Sequence, residues 1–298
     1  MNTFALSVET LQWPELAAQE IHADVLRLDQ LHPVISGNKW FKLQCHLQLA
    51  DRSPLLTFGG AWSNHLVATA FAAKQAGLPA IGIIRGERSS ELSATLQEAT
   101  AYGMQLEFIS REQYTHKTQP TYLKHLLDRY PGAYIIPEGG GGLPGIKGSE
   151  TILSKIDAAT YTHIICAIGT GTTFLGLVRA SQPGQTVIGV PVLKGMHELS
   201  SIDLTGILTP EQIRRTHLLP DHHFGGYARH PQPLLDFMNR LYKTTGIPTD
   251  IVYTGKLFYA VYDSVQKGHL FPAHARLLII HSGGLQGNRS LPTGRLLF

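Results

Sequence analysis

His163-Ile164-Ile165-Cys166-Ala167-Ile168-Gly169-Thr170-Gly171-Thr172-Thr173-Phe174-Leu175-Gly176 is an apolar run that breaks into glycine and threonine and resumes with helical spacing. A short apolar run bounded by glycine reads as a strand buried on both faces, so a strand is expected over His163–Ile168 and a helix over Thr173–Ser181. Strand, glycine turn and helix together form the repeating unit of a parallel α/β sheet. In the turn, glycines let successive N–H groups converge, threonine hydroxyls add donors, and the helix N-terminus attracts negative charge. The segment therefore suits a phosphate, although an ordinary glycine-rich turn has the same composition. Two named phosphate motifs fail on spacing. A dinucleotide fingerprint needs glycine where Phe174 stands, and a Walker loop must end in Gly-Lys-Ser/Thr.

The same alternation extends in both directions. Leu55–Phe58 reads as a strand, followed by a helix over Leu66–Ala76 that Gly77 and Pro79 end. Strands are expected over Ala80–Arg85, Gln105–Ile109 and Ala133–Ile136, with helices over Leu92–Tyr102 and Thr121–Tyr130 between them. Further on come a helix over Ser149–Ala158 and strands over Thr186–Val190 and Leu277–His281. Leu234, Met238, Leu241 and Tyr242 share one helical face. The expected organisation is a larger α/β domain made of residues 1–45 and 149–298 and a smaller one made of 46–148. The glycine- and proline-rich stretch Ile136–Gly148 is read as the crossing between them.

Composition narrows the function classes. The 298 residues have a formal net charge of +3, too little for an electrostatic footprint on nucleic acid. Charged residues make up 16%, against roughly 25% in soluble proteins generally, and the 30 glycines exceed the roughly 7% norm, which suits a compact enzyme-like chain. Cys45 and Cys166 are too few for a disulfide scaffold in a chain this long. The first 16 residues lack Lys, Arg and a continuous apolar core, and no stretch approaches the roughly 20 apolar residues of a membrane span, so a cytoplasmic protein is expected. His222-His223, with His217 and His230 nearby, shows no metal-ligand spacing, so no metal is expected.

Three further segments carry possible chemistry. In Ser36-Gly37-Asn38-Lys39-Trp40-Phe41-Lys42-Leu43, a turn opens into a helix with a lysine at its start. The helix dipole disfavours a cation there, which suits an amine needed neutral for Schiff-base chemistry, whereas a solvated lysine is the plain alternative. In Gly59-Gly60-Ala61-Trp62-Ser63-Asn64-His65, Ser63 or Asn64 either caps the following helix or, with its N-terminus, cradles a carboxylate. His281-Ser282-Gly283-Gly284 ends the last strand, and Ser282 is either a turn former or a partner for a ring nitrogen.

Five ordered motifs carry a family resemblance from about Ile35 to Asn288. These are Asn38-Lys39-x-x-Lys42-Leu43, the Gly-Gly-x-x-Ser-Asn-His run at 59–65, Gly169–Thr173, Tyr253-Thr254-Gly255-Lys256 and His281–Gly284. Together they resemble the 1-aminocyclopropane-1-carboxylate (ACC) deaminase / D-cysteine desulfhydrase family. The resemblance implies pyridoxal 5′-phosphate, the two-domain fold of the tryptophan synthase β type, and a homodimer. It implies that Lys39 carries the cofactor as a Schiff base, that Gly169, Thr170, Gly171, Thr172 and Thr173 hold its phosphate, and that Asn64 lies near its 3′-oxygen. Ser63, Asn64 and His65 would bind the substrate carboxylate. Tyr253 matches the tyrosine close to ring and substrate, and Tyr227, in Phe224-Gly225-Gly226-Tyr227, matches a second active-site tyrosine. Lys42, one turn past Lys39, either lowers the pKa of Lys39 or is solvated.

Deaminases resemble one another in having Glu and Leu where this sequence has Thr254 and Ser282, and Gln where it has His65. The hydroxyls resemble the D-cysteine desulfhydrase side. A hydroxyl is a weaker partner for a protonated pyridine nitrogen than a carboxylate, so the ring should draw electrons less strongly. That suits β-elimination, in which a good leaving group shares the burden. The expected reaction converts D-cysteine or a related β-substituted D-amino acid to pyruvate, ammonia and hydrogen sulfide. The alternatives are ACC deamination to 2-oxobutanoate and ammonia, and a non-catalytic binding protein using the same pockets.

Overall fold

A computed structural model describes residues 6–202 and 206–298. Its strands are β1 (Val8–Thr10), β2 (His22–Arg27), β3 (Leu55–Gly59), β4 (Ala80–Arg85), β5 (Met104–Ile109), β6 (Tyr134–Ile136), β7 (His163–Ile168), β8 (Thr186–Pro191), β9 (Thr216–Leu218) and β10 (Arg276–His281). The chain divides into two compact units, residues 1–38 with 149–298, and residues 39–148. The division falls between Asn38 and Lys39, seven residues before the boundary expected from the sequence.

The larger unit holds a six-stranded sheet in the order β1-β2-β10-β7-β8-β9, parallel throughout except for β1. Leu277, Leu278, Ile279 and Ile280 of β10 and Ile164 and Ile165 of β7 are completely buried, as central strands of a covered parallel sheet must be. The smaller unit holds the four-stranded parallel sheet β5-β4-β3-β6. Its helix Asn64–Ala76 ends at Gly77, whose φ of 66° is the left-handed C-cap geometry that glycine supplies.

Two expectations fail. Ser149–Ala158 is not one helix, since it contains short 3₁₀ turns at Leu153–Lys155 and Ala158–Thr160. The α-helix lies earlier, over Gly142–Glu150, inside the stretch read as a crossing. Its glycines serve packing: a Cβ at Gly148 would lie 2.1 Å from the carbonyl oxygen of Phe41, so only glycine permits this approach. Strand β2 went unread because His22, Asp24 and Arg27 interrupt its apolar pattern. Those polar groups are paired in the fold. Asp24 accepts from Thr10 and Tyr161, each at 2.8 Å, and the Arg27 guanidinium bonds both carboxylate oxygens of Asp29, at 2.9 and 2.7 Å. Among the described residues no helix is long and apolar enough to cross a membrane, and no cluster of His, Cys, Asp or Glu could hold a metal.

Candidate active site

In the larger unit, β7 ends at Ile168 and the helix Thr172–Ala180 begins after Gly171, whose φ is 81°. A Cβ at Gly171 would lie 2.6 Å from Ile202 Cγ2, and one at Gly169 would lie 2.9 Å from the ring of Tyr253. Glycine is therefore required twice in three residues, once by backbone conformation and crowding and once by an aromatic ring resting on the turn. The Thr170 and Thr172 hydroxyls stand 3.1 Å apart. Thr172 and Thr173 are buried at the first turn of an apolar helix whose N-cap supplies no side-chain hydrogen bond. This cradle of hydroxyls and helix N–H groups fits a phosphate better than the plain-turn reading does.

Asn38 joins this cradle to Ser282. Its Nδ2 donates to Thr173 Oγ1 at 2.8 Å, and its backbone N–H donates to the Ser282 carbonyl at 3.2 Å. Gly37 precedes it with a φ of 68°, and a Cβ there would sit 1.9 Å from the Ser282 carbonyl oxygen. Sequence reasoning assigned no task to Gly37 or Asn38. An amide beside the key lysine was the available signal.

Tyr253 and Thr254 start the helix Thr254–Lys267. The completely buried Asp250 organises this corner. Its carboxylate accepts from the N–H groups of Val252, Tyr253 and Thr254 at 2.8, 2.9 and 2.8 Å and from the Thr254 hydroxyl at 2.7 Å. The Thr254 hydroxyl in turn accepts from Asp250 N–H at 2.7 Å. Thr254, expected beside the cofactor ring, thus spends its one donor proton on Asp250 and acts as a helix-start clamp. Ser282, the other hydroxyl expected there, ends β10 in the Gly283-Gly284 turn, which passes so close that a Cβ at Gly284 would lie 3.2 Å from Asp250 Oδ1. Tyr227 meets Tyr253 edge to face, with centroids 6.3 Å apart. The larger unit therefore gathers Gly169, Tyr253 and Tyr227 in one chain of contacts, and Thr173, Asn38 and Ser282 in another. Neither Asp250 nor Lys256 was assigned a task from the sequence.

In the smaller unit, Lys39 lies in the first turn of the helix Asn38–Ala50, as expected. Lys42, expected to be either solvated or tuning, is buried, and its Nζ donates to the Gly139 carbonyl at 3.3 Å. His46, one turn on, places Nε2 2.9 Å from the Gly141 carbonyl and Nδ1 3.0 Å from the Tyr134 hydroxyl. Ser63 is the N-cap of the helix Asn64–Ala76, yet its side chain makes no capping hydrogen bond, so the ordinary explanation for that serine fails.

His65 is buried, and its ring state follows from one proton. Thr57 donates its hydroxyl hydrogen to the Ile136 carbonyl at 2.8 Å and so must accept from His65 Nε2, also at 2.8 Å. Nδ1 is left as a bare acceptor with no hydrogen-bond partner among the described residues. Burial first, then the charges of Lys39 and Lys42, hold this ring well below the usual histidine range, so it is neutral. A neutral imidazole presenting a lone pair cannot donate to a carboxylate. Any part His65 takes in holding a carboxylate would therefore come from its backbone N–H in the helix's first turn.

The glycine- and threonine-lined turn after β7 in the larger unit and the lysine at a helix start in the smaller one are each the kind of feature that an α/β enzyme built around a phosphorylated cofactor uses. The chain belongs to the pyridoxal-phosphate dependent enzyme family, whose model matches residues 9–283. It is 28% identical, over 93% of this chain and 89% of the relative, to a Pyrococcus abyssi protein provisionally named 1-aminocyclopropane-1-carboxylate deaminase. It is 26% identical, over 85% of this chain and 70% of the relative, to an Arabidopsis thaliana bifunctional D-cysteine desulfhydrase/1-aminocyclopropane-1-carboxylate deaminase. A crystal structure of an ACC deaminase homologue matches with a TM-score of 0.81 at 25% identity, covering 96% of this chain and 91% of that one. The fold is that of the tryptophan synthase β type, and the enzyme depends on pyridoxal 5′-phosphate.

Proposed function

We propose that the protein is a lyase that eliminates the β-substituent of D-cysteine, or of a related β-substituted D-amino acid, to give pyruvate, ammonia and, from D-cysteine, hydrogen sulfide. The observation that carries this choice is the hydroxyl pair Thr254 and Ser282 at positions where the deaminases it resembles have Glu and Leu. With Thr254 engaged by Asp250, Ser282 is the hydroxyl left for the ring nitrogen.

Bound pyridoxal 5′-phosphate supplies an electron sink for the pair left when the substrate Cα loses its proton. Lys39 would hold the cofactor through its Nζ, and the same amine, when neutral, would take the proton from the substrate Cα. Gly169, Thr170, Gly171, Thr172 and Thr173 hold the phosphate, and Asn38 fixes the Thr173 hydroxyl. Asn64 serves the 3′-oxygen. The Ser63 hydroxyl and the first-turn N–H groups of Asn64 and His65 orient the substrate carboxylate. Tyr253 or Tyr227 delivers a proton to the departing sulfur. The active species is a homodimer.

A second reading, opening of ACC to 2-oxobutanoate and ammonia, is favoured by the names of the Pyrococcus and Arabidopsis relatives. Purified protein incubated with D-cysteine, L-cysteine and ACC in turn separates the two. Pyruvate from D-cysteine supports elimination, whereas 2-oxobutanoate from ACC without pyruvate from D-cysteine refutes it.

A further inference from the structure

The turn that carries Tyr227 is wound against backbone preference. Phe224, Gly225, Gly226 and Ala228 all have positive φ, at 52°, 91°, 116° and 55°. For Phe224 and Ala228 this conformation costs about 1 kcal/mol or more each, and such strain persists only where the surroundings over-determine the chain. Part of the support is local: Gly226 N–H donates to the His223 carbonyl at 3.0 Å, Gly225 N–H donates to His223 Nδ1 at 2.9 Å, and the Phe224 ring meets Tyr259 edge on at 4.7 Å.

The rest comes from Lys256, whose Nζ donates to the carbonyls of His223 at 2.9 Å and Gly226 at 2.7 Å. Lys256 is completely buried, and these partners are backbone carbonyls rather than a carboxylate. Burying an amine here costs more than an apolar side chain of equal length, which would pack as well but could not grip the turn. The grip bears directly on Tyr227, the residue after Gly226. Its ring is half-exposed, and its edge-to-face contact is with the Tyr253 ring that rests on Gly169.

We propose that Lys256 is a positioning residue for Tyr227, its two hydrogen bonds holding the strained 223–228 turn in the shape that sets the Tyr227 ring against Tyr253. The proposal rests on the reading of Tyr227 as an active-site residue. Burial, opposed by the nearby Asp250 charge, brings the Lys256 ammonium down to about 8. Loss of that charge leaves two N–H bonds, one for each carbonyl, so the grip does not depend on protonation.

The test is Lys256→Met, which keeps the stem and removes both donors, in the full-length protein loaded with pyridoxal 5′-phosphate. Amide exchange at Gly225, Gly226 and Arg229 is expected to quicken about tenfold, the worth of one or two ordinary hydrogen bonds. The visible absorption of the bound cofactor is expected to stay, and kcat to fall with little change in KM. In a Tyr227→Phe background, Lys256→Met is expected to lower kcat no further, which a general loss of stability would not reproduce. Unchanged exchange in the turn, or the same fractional loss of kcat in both backgrounds, overturns the proposal. Should the methionine variant not fold, Lys256→Leu, which also lacks a donor, carries the same comparisons. The exchange measurement needs no substrate. Quickened exchange in a protein that turns over no amino acid would therefore defeat the lyase reading and not the grip of Lys256.

Discussion

The Thr254 hydroxyl and the Asp250 carboxylate are locked together, with Thr254 Oγ1 donating to Asp250 Oδ1 at 2.7 Å and accepting from the Asp250 N–H at the same distance. The Thr254 hydroxyl is therefore committed to the start of its helix, and under the proposed function the cofactor ring is left to Ser282. Thr254→Val should cost about 1–3 kcal/mol of stability by leaving Asp250 under-satisfied, with little effect on the cofactor's absorption band. Ser282→Ala should do the reverse, shifting the band and lowering kcat in a normally stable protein. Thermal unfolding and absorption spectra of the two variants check this, and matching phenotypes would contradict it.

Lys39→Ala is expected to abolish the visible band of the cofactor-bound protein and its turnover together. Retention of that band would remove Lys39 from its assigned role.

Gly37→Ala places a methyl group where the Ser282 carbonyl already lies, in a backbone conformation with φ of 68°. Because Asn38 bridges Ser282 and Thr173, the displaced turn should weaken phosphate holding as well as stability, by about 2 kcal/mol or more. Titration of the apo-protein with pyridoxal 5′-phosphate should show weaker binding. By contrast Gly77→Ala, whose Cβ would meet nothing within 4 Å, should leave cofactor affinity unchanged.

Lys256 also predicts a pH dependence. Its folded pKa of about 8 lies below the roughly 10.4 of an unfolded lysine, so between these values the unfolded chain holds a proton that the folded chain lacks. Stability from this group therefore rises with pH across that window, because the cost of burying the charge is relieved. The melting temperature of wild type relative to Lys256→Met should climb between about pH 8 and 10. A constant difference would show that Lys256 is not the titrating group.

His65 should contribute no limb to the pH profile of kcat/KM between about pH 5 and 8, since burial and the neighbouring lysines keep it neutral. His65→Gln should leave the profile's shape intact in that range.

Much of this was readable in the chain. The β7 strand and its Gly-Thr-Gly-Thr-Thr turn were legible because an apolar run and a glycine cup are local patterns, and strands β3, β4 and β8 were legible for the same reason. Strand β2 was hidden by Asp24 and Arg27, whose burial is tolerated because Thr10, Tyr161 and Glu9 reach them from distant positions and Asp29 pairs with Arg27 just past the strand. The helix Thr254–Lys267 showed its spacing in Leu257, Phe258, Val261 and Val265, all buried, but the Tyr-Thr-Gly-Lys motif at its start drew attention to chemistry rather than to helical period. Lys256 was illegible as a partner of the 223–228 turn because a hydrogen bond to a backbone carbonyl leaves no trace in residue type, and the bonds of the Asp250 carboxylate to backbone N–H groups leave none either. The tautomer of His65 was illegible for a related reason: it is set by Thr57 and Ile136, which no spacing rule connects to it.

The order of strands in the larger sheet has a consequence for how the protein is made. β10, formed by residues 276–281, lies between β2 and β7 and pairs in parallel with both. Until the ribosome has released those residues, the edges of β2 and β7 that β10 joins keep their backbone N–H and C=O groups unpaired by it. The smaller unit, by contrast, is one continuous stretch, residues 39–148, whose sheet can close once that stretch has emerged. Synthesis from the N-terminus therefore completes the unit bearing Lys39 first, and the unit bearing the phosphate cradle only as the last strand arrives. A chain truncated before Arg276 would lose the centre of its larger sheet, not merely a tail.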